Sequence, residues 1–295
     1  MPSSRNEIRQ AAVQLLYARH SSPFGPAKTD DVWDLLLDPK RTALDRARVK
    51  VLTHFQQGRS RAVDQLEKSV RAASTSFQLA PNAGTLARKI ETYFTDEKKW
   101  IDQVGTLLSF MKKDTGDWQN TLHRLLEAPS KFQKVRVEIR GAIDDVTIAP
   151  KQHKAIADAL IAVENYDERV RKVLHPLNYP DQSDLKHLHA HQGDLKEFRA
   201  RTQALVDAAE ARLPEIDAMV AEKLDNYQLD RVAKVDLAII RLCVYELVFG
   251  NDEVPRPVVI NGYLQLTEAF SGQEALRFVN GVVDRFQRAD SQPKE

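Results

Sequence analysis

Long apolar seams in the middle of the chain constrain the fold most strongly, because their hydrophobic residues recur at alternating steps of three and four. Such seams cover residues 52–77, 90–111 and 156–174. That spacing places the apolar side chains on one face of an α-helix. Glycine is sparse, with 11 in 295 residues, and only residues 135–139 alternate as a strand would. The pattern therefore predicts an all-α fold.

The first two seams are separated by the segment APNAG, whose proline, asparagine and glycine are typical of a turn. They therefore predict two long helices that fold back on each other as a coiled-coil-like hairpin. The third seam ends at HPLNYP, where the prolines forbid continuation of a helix. The middle of the chain is thus expected to consist of long helices.

Ser4 and Glu7 stand three residues apart at the start of the first predicted helix. This is the spacing of a capping box, in which each side chain bonds the backbone N–H of the other residue. The apolar residues that follow share one helix face, and Arg5 and Arg9 lie one turn apart on the opposite side. Because residues 1–20 hold three arginines against one acid, we expect this end to face phosphate.

Residues 235–249 are apolar nearly all round and are followed by Gly250 as a helix stop. Such a helix is expected to be buried on most sides, and Cys243, the only cysteine, is expected to be a small buried hydrophobe within it. Arg241 and Glu246 interrupt the apolar sequence. Charges on a buried helix need partners, so these two residues mark either internal salt bridges or a docking surface.

Charge and composition limit the partners and the location. The formal net charge is +1, but residues 191–295 carry 13 lysines and arginines against 18 acids, so any nucleic-acid contact must be a local basic patch. The N-terminus has no apolar signal core, and no stretch approaches the ~18 uninterrupted apolar residues of a membrane span. A cytoplasmic protein that does not enter the membrane is expected.

The sequence contains no recognisable catalytic motif. We find no glycine-rich phosphate loop, no nucleophile elbow and no Ser/His/Asp order with a familiar context. His187, His189 and His191 in HLHAH supply at most two ligands on one helix face, which is a poor metal site. We therefore expect a protein that is not an enzyme and that has no cofactor and no metal.

Four blocks, in the order RQAAVQLLYARH, LDRVAKVDLAIIRLCVYELVF, VPRPVVING and GQEALRFVNGVVDRF, resemble the family of the bacterial transcription antitermination factor NusB. The resemblance covers residues 1–20 and 195–290. It implies an all-helical fold of two small bundles. It also implies a discontinuous RNA-binding domain, formed by residues 1–20 and 191–295, with residues 21–190 as an inserted helical hairpin domain of unknown role.

Members of this family bind boxA, a short single-stranded RNA element, together with the ribosomal protein NusE, and keep RNA polymerase elongating through ribosomal RNA operons. The resemblance therefore implies an RNA-binding antitermination factor whose partners are boxA-like RNA, a NusE-type ribosomal protein and the transcription elongation complex. It assigns RNA contacts to Arg5, Arg9, Gln14, Tyr17, Glu274, Arg277, Phe278 and Asn280. The helix around Arg241 and Glu246 is assigned to docking of the NusE-type protein.

Some of these residues also have structural interpretations that stay open. Phe278 has the four-residue spacing of a core position with Val282 and Phe286. Tyr17 can be a packing aromatic, and Glu274 can cap a helix together with a preceding serine. Within the C-terminal block, Arg277 is the residue most favoured as part of an RNA surface.

Departures from the family pattern bear on RNA binding. The family pattern has a run of closely spaced arginines at the N-terminus, and in this chain Asn6 and Glu7 interrupt it. Fewer arginines reduce the number of RNA phosphates that can be neutralised. Gly262 stands where the family has a glutamate. Glycine inside a helix costs about 1 kcal/mol relative to alanine, so Gly262 indicates a close backbone contact or a relaxed constraint.

These departures leave an alternative open, namely a NusB-fold scaffold for protein–protein interaction that has lost RNA binding. An RNA methyltransferase, to which a NusB-like domain is sometimes attached, is disfavoured because no cofactor-binding glycine loop follows a strand. Self-association as a homodimer is left open by the sequence.

Overall fold

The computed structural model describes residues 3–20, 29–78, 83–145, 148–224, 228–250 and 254–288. In these residues the regular structure is helical and no strand occurs, so the predicted all-α fold is confirmed. The strand-like residues 135–139 lie inside a helix. No helix within the described ranges combines the length and the apolar character that crossing a membrane requires.

Ten α-helices follow one another in the described chain. They are α1 (Arg5–His20), α2 (Thr29–Ala72), α3 (Ser74–Phe77), α4 (Ala83–Lys113), α5 (Trp118–Asp145), α6 (Pro150–Leu174), α7 (Lys186–Glu210), α8 (Leu213–Lys223), α9 (Lys234–Val248) and α10 (Arg256–Arg288). Helix α2 contains Pro39 in its interior. Helix α10 is interrupted at Gly272, whose φ of 82° belongs to the left-handed region that favours glycine.

The chain divides into two compact units. The terminal unit comprises Met1–Pro39 and Gly193–Glu295, and the four-helix unit comprises Lys40–Gln192. The sequence places the corresponding boundaries after residues 20 and 190. The first division lies later in the structure because Trp33 and Leu37, near the start of α2, are buried in the core of the terminal unit.

Helix α9 is central to the terminal unit. Its residues 237–240 and 242–244 are all buried, and it contacts α1, α8 and α10. This burial agrees with the apolar character predicted on nearly every side of the helix. Cys243 is completely buried among these residues, as expected for a small hydrophobe, and burial raises the pKa of its thiol.

The four-helix unit has one core to which α2, α4, α5 and α6 all contribute. Representative core residues are Leu52, Val63, Leu66, Trp100, Val104, Leu122, Ile139, Leu160 and Val163. The three predicted apolar seams supply much of this core. The predicted two-helix hairpin is not confirmed, because four long helices share the buried interior.

Four charged side chains, one from each long helix, meet inside that core. Arg59 donates to the two carboxylate oxygens of Glu97 at 2.9 and 3.0 Å and to Asp167 Oδ1 at 2.6 Å. Arg136 donates to Glu97 Oε1 at 3.3 Å and also to Asp167. Two cations therefore balance two anions, which offsets part of the large cost of removing charges from water. Arg59 is the residue that interrupts the first apolar seam in the sequence.

The capping box predicted at the start of α1 is confirmed. The backbone N–H of Glu7 donates to Ser4 Oγ at 3.1 Å, and the backbone N–H of Ser4 donates to Glu7 Oε2 at 2.7 Å. In the HLHAH segment, His189 Nε2 lies 2.8 Å from the carbonyl oxygen of Pro176. Within the described ranges, no three histidine, cysteine or acidic side chains are grouped so that they could hold a metal ion.

Candidate nucleic-acid interface

A groove of about 540 Å³ opens on the terminal unit between α1, α7 and α9. Its lining combines arginines with aromatic and small apolar side chains. The lining residues are Arg5, Ile8, Arg9, Arg201, Ala204, Leu205, Ala208, Tyr245, Glu246, Phe249, Gly250 and Val254. A positively charged groove with aromatic side chains is the arrangement that proteins use to hold single-stranded nucleic acid.

Two exposed arginines supply positive charge to the groove. Arg5 is the first residue of α1, where the Ser4–Glu7 capping box orders the helix start. Arg201 comes from α7 and pairs with Glu197, one turn earlier, at 3.3 Å. An exposed pair at this spacing contributes only about 0.2–0.5 kcal/mol. A phosphate group can therefore compete with Glu197 for the guanidinium of Arg201.

The aromatic part of the groove lies on α9 and at its end. Tyr245 and Phe249 are four residues apart, and their rings are stacked with centroids 6.2 Å apart and an interplanar angle of 26°. Both rings are half-buried because they also pack against the core of the terminal unit. The guanidinium of Arg212 lies 5.2 Å from the centroid of the Phe249 ring. Partly exposed aromatic rings of this kind can stack on unpaired bases.

A buried ion pair lies where α1 meets α9. Arg9 is only 3% exposed, and its Nε and Nη2 donate to the two carboxylate oxygens of Glu246 at 3.0 and 2.6 Å. Tyr263 Oη donates to the same carboxylate at 2.6 Å. Burial acts to lower the pKa of Arg9, but the hydrogen bond and charge of Glu246 outweigh it and raise the pKa. The pKa of Tyr263 is raised, mainly by burial and to a smaller extent by the negative charge of the nearby Glu246.

Gly262 provides the space for this ion pair. A Cβ atom at this position would lie 2.5 Å from Arg9 Nη1 and 3.0 Å from Asn6 Oδ1. The distance to Arg9 is shorter than real Cβ contacts allow, so a larger residue would require the guanidinium to move. Of the two interpretations of Gly262, the structure therefore supports a close contact.

The structure corrects the predicted placement of Arg9. The sequence places Arg9 beside Arg5 on the exposed side of α1, whereas α9 and α10 pack on α1 widely enough to bury it. Its donors are directed to Glu246, so Arg9 can influence RNA through charge rather than by holding a phosphate. Arg241 makes a two-point salt bridge with Asp217 at 2.7 and 2.8 Å. Both charges of α9 that were assigned to docking thus make internal salt bridges.

The remaining sequence-predicted residues lie outside the lining of the groove. Gln14, Glu274, Arg277 and Asn280 are exposed, whereas Tyr17 and Phe278 are half-buried against the core of the terminal unit. Glu274, Arg277, Phe278 and Asn280 all follow the interruption of α10 at Gly272. Two contacts of α1 with α10 lie before that interruption, namely the Asn6–Gln265 hydrogen bond and the packing of Arg9 over the Tyr263 ring. Of the eight predicted RNA residues, the groove therefore brings together Arg5 and Arg9.

Sequence reasoning missed three groove residues, Arg201, Tyr245 and Phe249. The four-residue spacing of Tyr245 and Phe249 could have indicated a shared face, and Gly250 shows that this face lies at a helix end. Tyr245 and Phe249 were interpreted as core residues because they lie in the apolar sequence of residues 235–249. Nothing in the sequence indicates that Arg201, which lies 196 positions after Arg5, lines the same groove.

A comparison with protein families identifies the part of the chain that is similar to known proteins. A family model described as the NusB family matches residues 150–288, which begin at α6 and end with α10. The match thus includes most of the C-terminal segment of the terminal unit, together with the last part of the four-helix unit. No solved structure gives a significant match.

Individual relatives agree with the family model. The transcription antitermination protein NusB of Clostridium botulinum is 32% identical over 119 residues, which are 40% of this chain and 84% of that protein. For NusB of Agathobacter rectalis the identity is 36% over 128 residues, which cover 40% of this chain and 94% of the relative. For NusB of Listeria monocytogenes it is 38% over 81 residues, 28% of this chain and 62% of the relative. Because relatives more than 30% identical are matched over most of their length, the chain belongs to the NusB family.

Proposed function

We propose that this NusB-family protein is a non-catalytic, RNA-binding factor in transcription antitermination. It binds boxA-like single-stranded RNA in the groove between α1, α7 and α9 and acts with a NusE-type ribosomal protein in the cytoplasmic transcription elongation complex. The observation that carries the proposal is that Arg5 and Arg201 line the same groove as the stacked Tyr245–Phe249 pair.

Each part of the groove has a separate role in the proposed complex. Arg5 and Arg201 contact phosphates, which contributes affinity without reading sequence. Phe249 and Tyr245 stack with unpaired bases, which excludes double-stranded RNA because its bases are already stacked. Arg9 neutralises Glu246, so that a carboxylate lining the groove does not repel the RNA backbone.

The C-terminal part of α10 supplies further contacts in this proposal. Arg277 binds phosphate, while the exposed Glu274, Asn280 and Gln14 offer hydrogen-bonding groups to RNA or to the protein partner. The NusE-type protein docks on the terminal unit near Arg241. Simultaneous binding of RNA and protein raises the effective concentration of each at the other's site, so two weak contacts together suffice.

Fluorescence anisotropy of boxA-like RNA, with and without the NusE-type protein, tests the proposal. The double substitution Arg5→Glu and Arg201→Glu is expected to weaken binding at least tenfold and to reduce the salt slope by about 1.4 if each arginine contacts one phosphate. A matched control is Arg231→Glu with Lys234→Glu, two exposed residues of the terminal unit outside the groove. Equal losses in the two variants would show that net charge, not the groove, governs binding.

A second candidate function is a protein-interaction scaffold that has lost RNA binding. The charge of the terminal unit favours it, because residues 1–39 and 193–295 hold 17 lysines and arginines against 23 acids, a net of −6. The same titrations separate the two functions. Binding of the NusE-type protein without measurable binding of RNA would favour the scaffold.

A further inference from the structure

The four-helix unit carries the positive charge of this protein. Residues 40–192 contain 26 lysines and arginines against 19 acids, a net of +7, whereas the terminal unit has a net of −6. The buried cluster of Arg59, Arg136, Glu97 and Asp167 is neutral in itself. The excess therefore comes from the remaining charged residues of the unit. A positive excess of this kind attracts polyanions and raises the rate at which they encounter the protein.

A cleft of about 250 Å³ between α4 and α5 concentrates part of this charge beside aromatic side chains. Lys99 and Arg124 lie on its rim, and Trp100 and Phe132 form part of its wall. Asp96 is the one carboxylate among the lining residues. The cleft lies wholly within the four-helix unit.

The two cations of the cleft are not committed to carboxylates in the described part of the chain. The only hydrogen bond of Arg124 there goes to the hydroxyl of Thr121, at 3.2 Å, and Lys99 makes none. Neighbouring cations differ in this respect, since Lys98 pairs with Glu67 at 2.7 Å and Arg140 with Glu164 at 2.9 Å. Lys99 and Arg124 can therefore bind an external anion without breaking an ion pair.

The aromatic wall is held in place by the core. The indole N–H of Trp100 donates to the carbonyl oxygen of Leu125 at 2.9 Å, which ties α4 to α5 under the cleft. Phe132 is half-buried and meets Tyr93 edge-on, with ring centroids 6.1 Å apart. Its accessible part lies in the same cleft as the two cations. Trp100 is buried under this wall, so Phe132 is the ring that a base can reach. A fixed, partly accessible ring beside cations that make no ion pair in the described part of the chain suits a flexible strand whose bases and phosphates are both accessible.

We propose that the α4–α5 cleft is a second binding site for single-stranded RNA, with Lys99 and Arg124 on phosphates and Phe132 against a base. This inference rests on the proposed function, because it extends the RNA contact from the groove of the terminal unit to the four-helix unit. The added contact raises the total affinity of a protein whose terminal unit is acidic.

The test uses the full chain and a boxA-like RNA with oligouridylate tails, followed by fluorescence anisotropy at several salt concentrations. Lys99→Glu with Arg124→Glu is expected to weaken binding about tenfold and to reduce the salt slope by about 1.4, the value for two lost phosphate contacts on a single strand. The matched control is Lys151→Glu with Lys154→Glu, which changes the charge of the same unit equally at two exposed residues of α6. Circular dichroism confirms that each variant is folded.

The outcomes separate this inference from the proposed function. A loss of RNA affinity in Lys99→Glu with Arg124→Glu, without a loss in the α6 control, supports RNA binding in the cleft. An equal loss in both variants, or no loss in either, overturns that inference. If Arg5→Glu with Arg201→Glu weakens binding while the cleft variant does not, the groove stands and the cleft fails. If only the cleft variant weakens binding, the groove proposal fails instead.

A second measurement tests the contact with bases. RNA containing 4-thiouridine in its tails is expected to crosslink under ultraviolet light to the peptide that contains Phe132. Crosslinks confined to the terminal unit would overturn the inference.

Discussion

The terminal unit and the four-helix unit both bury arginines against carboxylates, but the two sets of charges differ in their access to solvent. In the four-helix unit the side chains of Arg59 and Glu97 are both 0% exposed. In the terminal unit Arg9 is 3% exposed, while Glu246 is 17% exposed and lines the groove. An enclosed network can act only on the packing of its own helices. A pair that reaches a groove also determines the charge that a ligand meets there.

The largest effect is expected when the enclosed network is broken. Glu97→Leu leaves two buried guanidinium groups with one carboxylate, so the free energy of unfolding should fall by about 3–5 kcal/mol. Replacing all four charges by apolar residues of similar size should instead be neutral or stabilising. Urea unfolding followed by circular dichroism measures both variants. A loss below about 1 kcal/mol in Glu97→Leu would contradict the prediction, because an unpaired buried charge costs more than that.

A smaller effect is expected when the space beside Arg9 is filled. Gly262→Ala should destabilise the protein by about 1–3 kcal/mol, because the new methyl group would overlap the guanidinium. The matched control lies in the four-helix unit, where Gly141→Ala meets no atom within 4 Å. That substitution should be stabilising by up to about 1 kcal/mol. Thermal unfolding compares them, and an equal response of the two glycines would remove the argument for close packing at residue 262.

Alkaline pH should destabilise the terminal unit first. Burial raises the pKa of Cys243 above the value of about 8.5 for a free thiol, so the unfolded state loses its proton before the folded state does. Stability should therefore decline by about 1.4 kcal/mol per pH unit above pH ~8.5. Unfolding free energies between pH 7 and 10 measure this slope.

Cys243→Ala serves as the control for the alkaline prediction and should remove most of the decline below pH ~10, the pKa at which free tyrosine is half ionised. Above that pH both units should lose stability, because burial raises the pKa of Tyr263 in one and of Tyr93 in the other. An unchanged slope in Cys243→Ala would assign the decline to another group.

The smallest effect is expected for the tyrosine hydroxyls. Tyr263→Phe removes a 2.6 Å hydrogen bond to the Glu246 carboxylate and should cost about 1.5 kcal/mol, the lower end for a hydrogen bond to a charged group, because Arg9 keeps its own hydrogen bonds to that carboxylate. Tyr93→Phe removes only a 3.5 Å contact with Arg136 and should cost less. The urea concentration at the midpoint of unfolding, measured for both variants at an unchanged m-value, compares the two losses of stability. A larger loss in Tyr93→Phe would show that the enclosed network depends on its tyrosine more than the distance indicates.

Local features of this fold could be predicted from the sequence because they depend on neighbours along the chain. The Ser4–Glu7 capping box and the seam containing Leu52 and Leu66 are set by spacings of three and four. Gly262 was also informative, since glycine within a helix left two interpretations, a close contact or a relaxed constraint, and the structure supports the first. These signals identify helices and buried faces but do not state which helices meet.

The pairing of distant side chains could not be predicted in the same way. Arg9 and Glu246 are separated by 237 positions, and the periodicity of α1 alone places Arg9 on the solvent side. Arg59 was similarly an interruption in a seam until Glu97 and Asp167 were seen beside it. Such pairings follow from tertiary packing. The groove could not be predicted for the same reason, because its arginines come from α1 and α7, which are far apart in the sequence.

The burial of Cys243 has a practical consequence for measuring how the protein opens. A thiol that is 0% exposed reacts with an alkylating reagent only when the surrounding helices separate transiently. Because the chain has a single cysteine, the alkylation rate reports on the terminal unit and is silent about events confined to the four-helix unit. Protection of that thiol by added RNA would therefore show which half of the molecule a ligand holds closed.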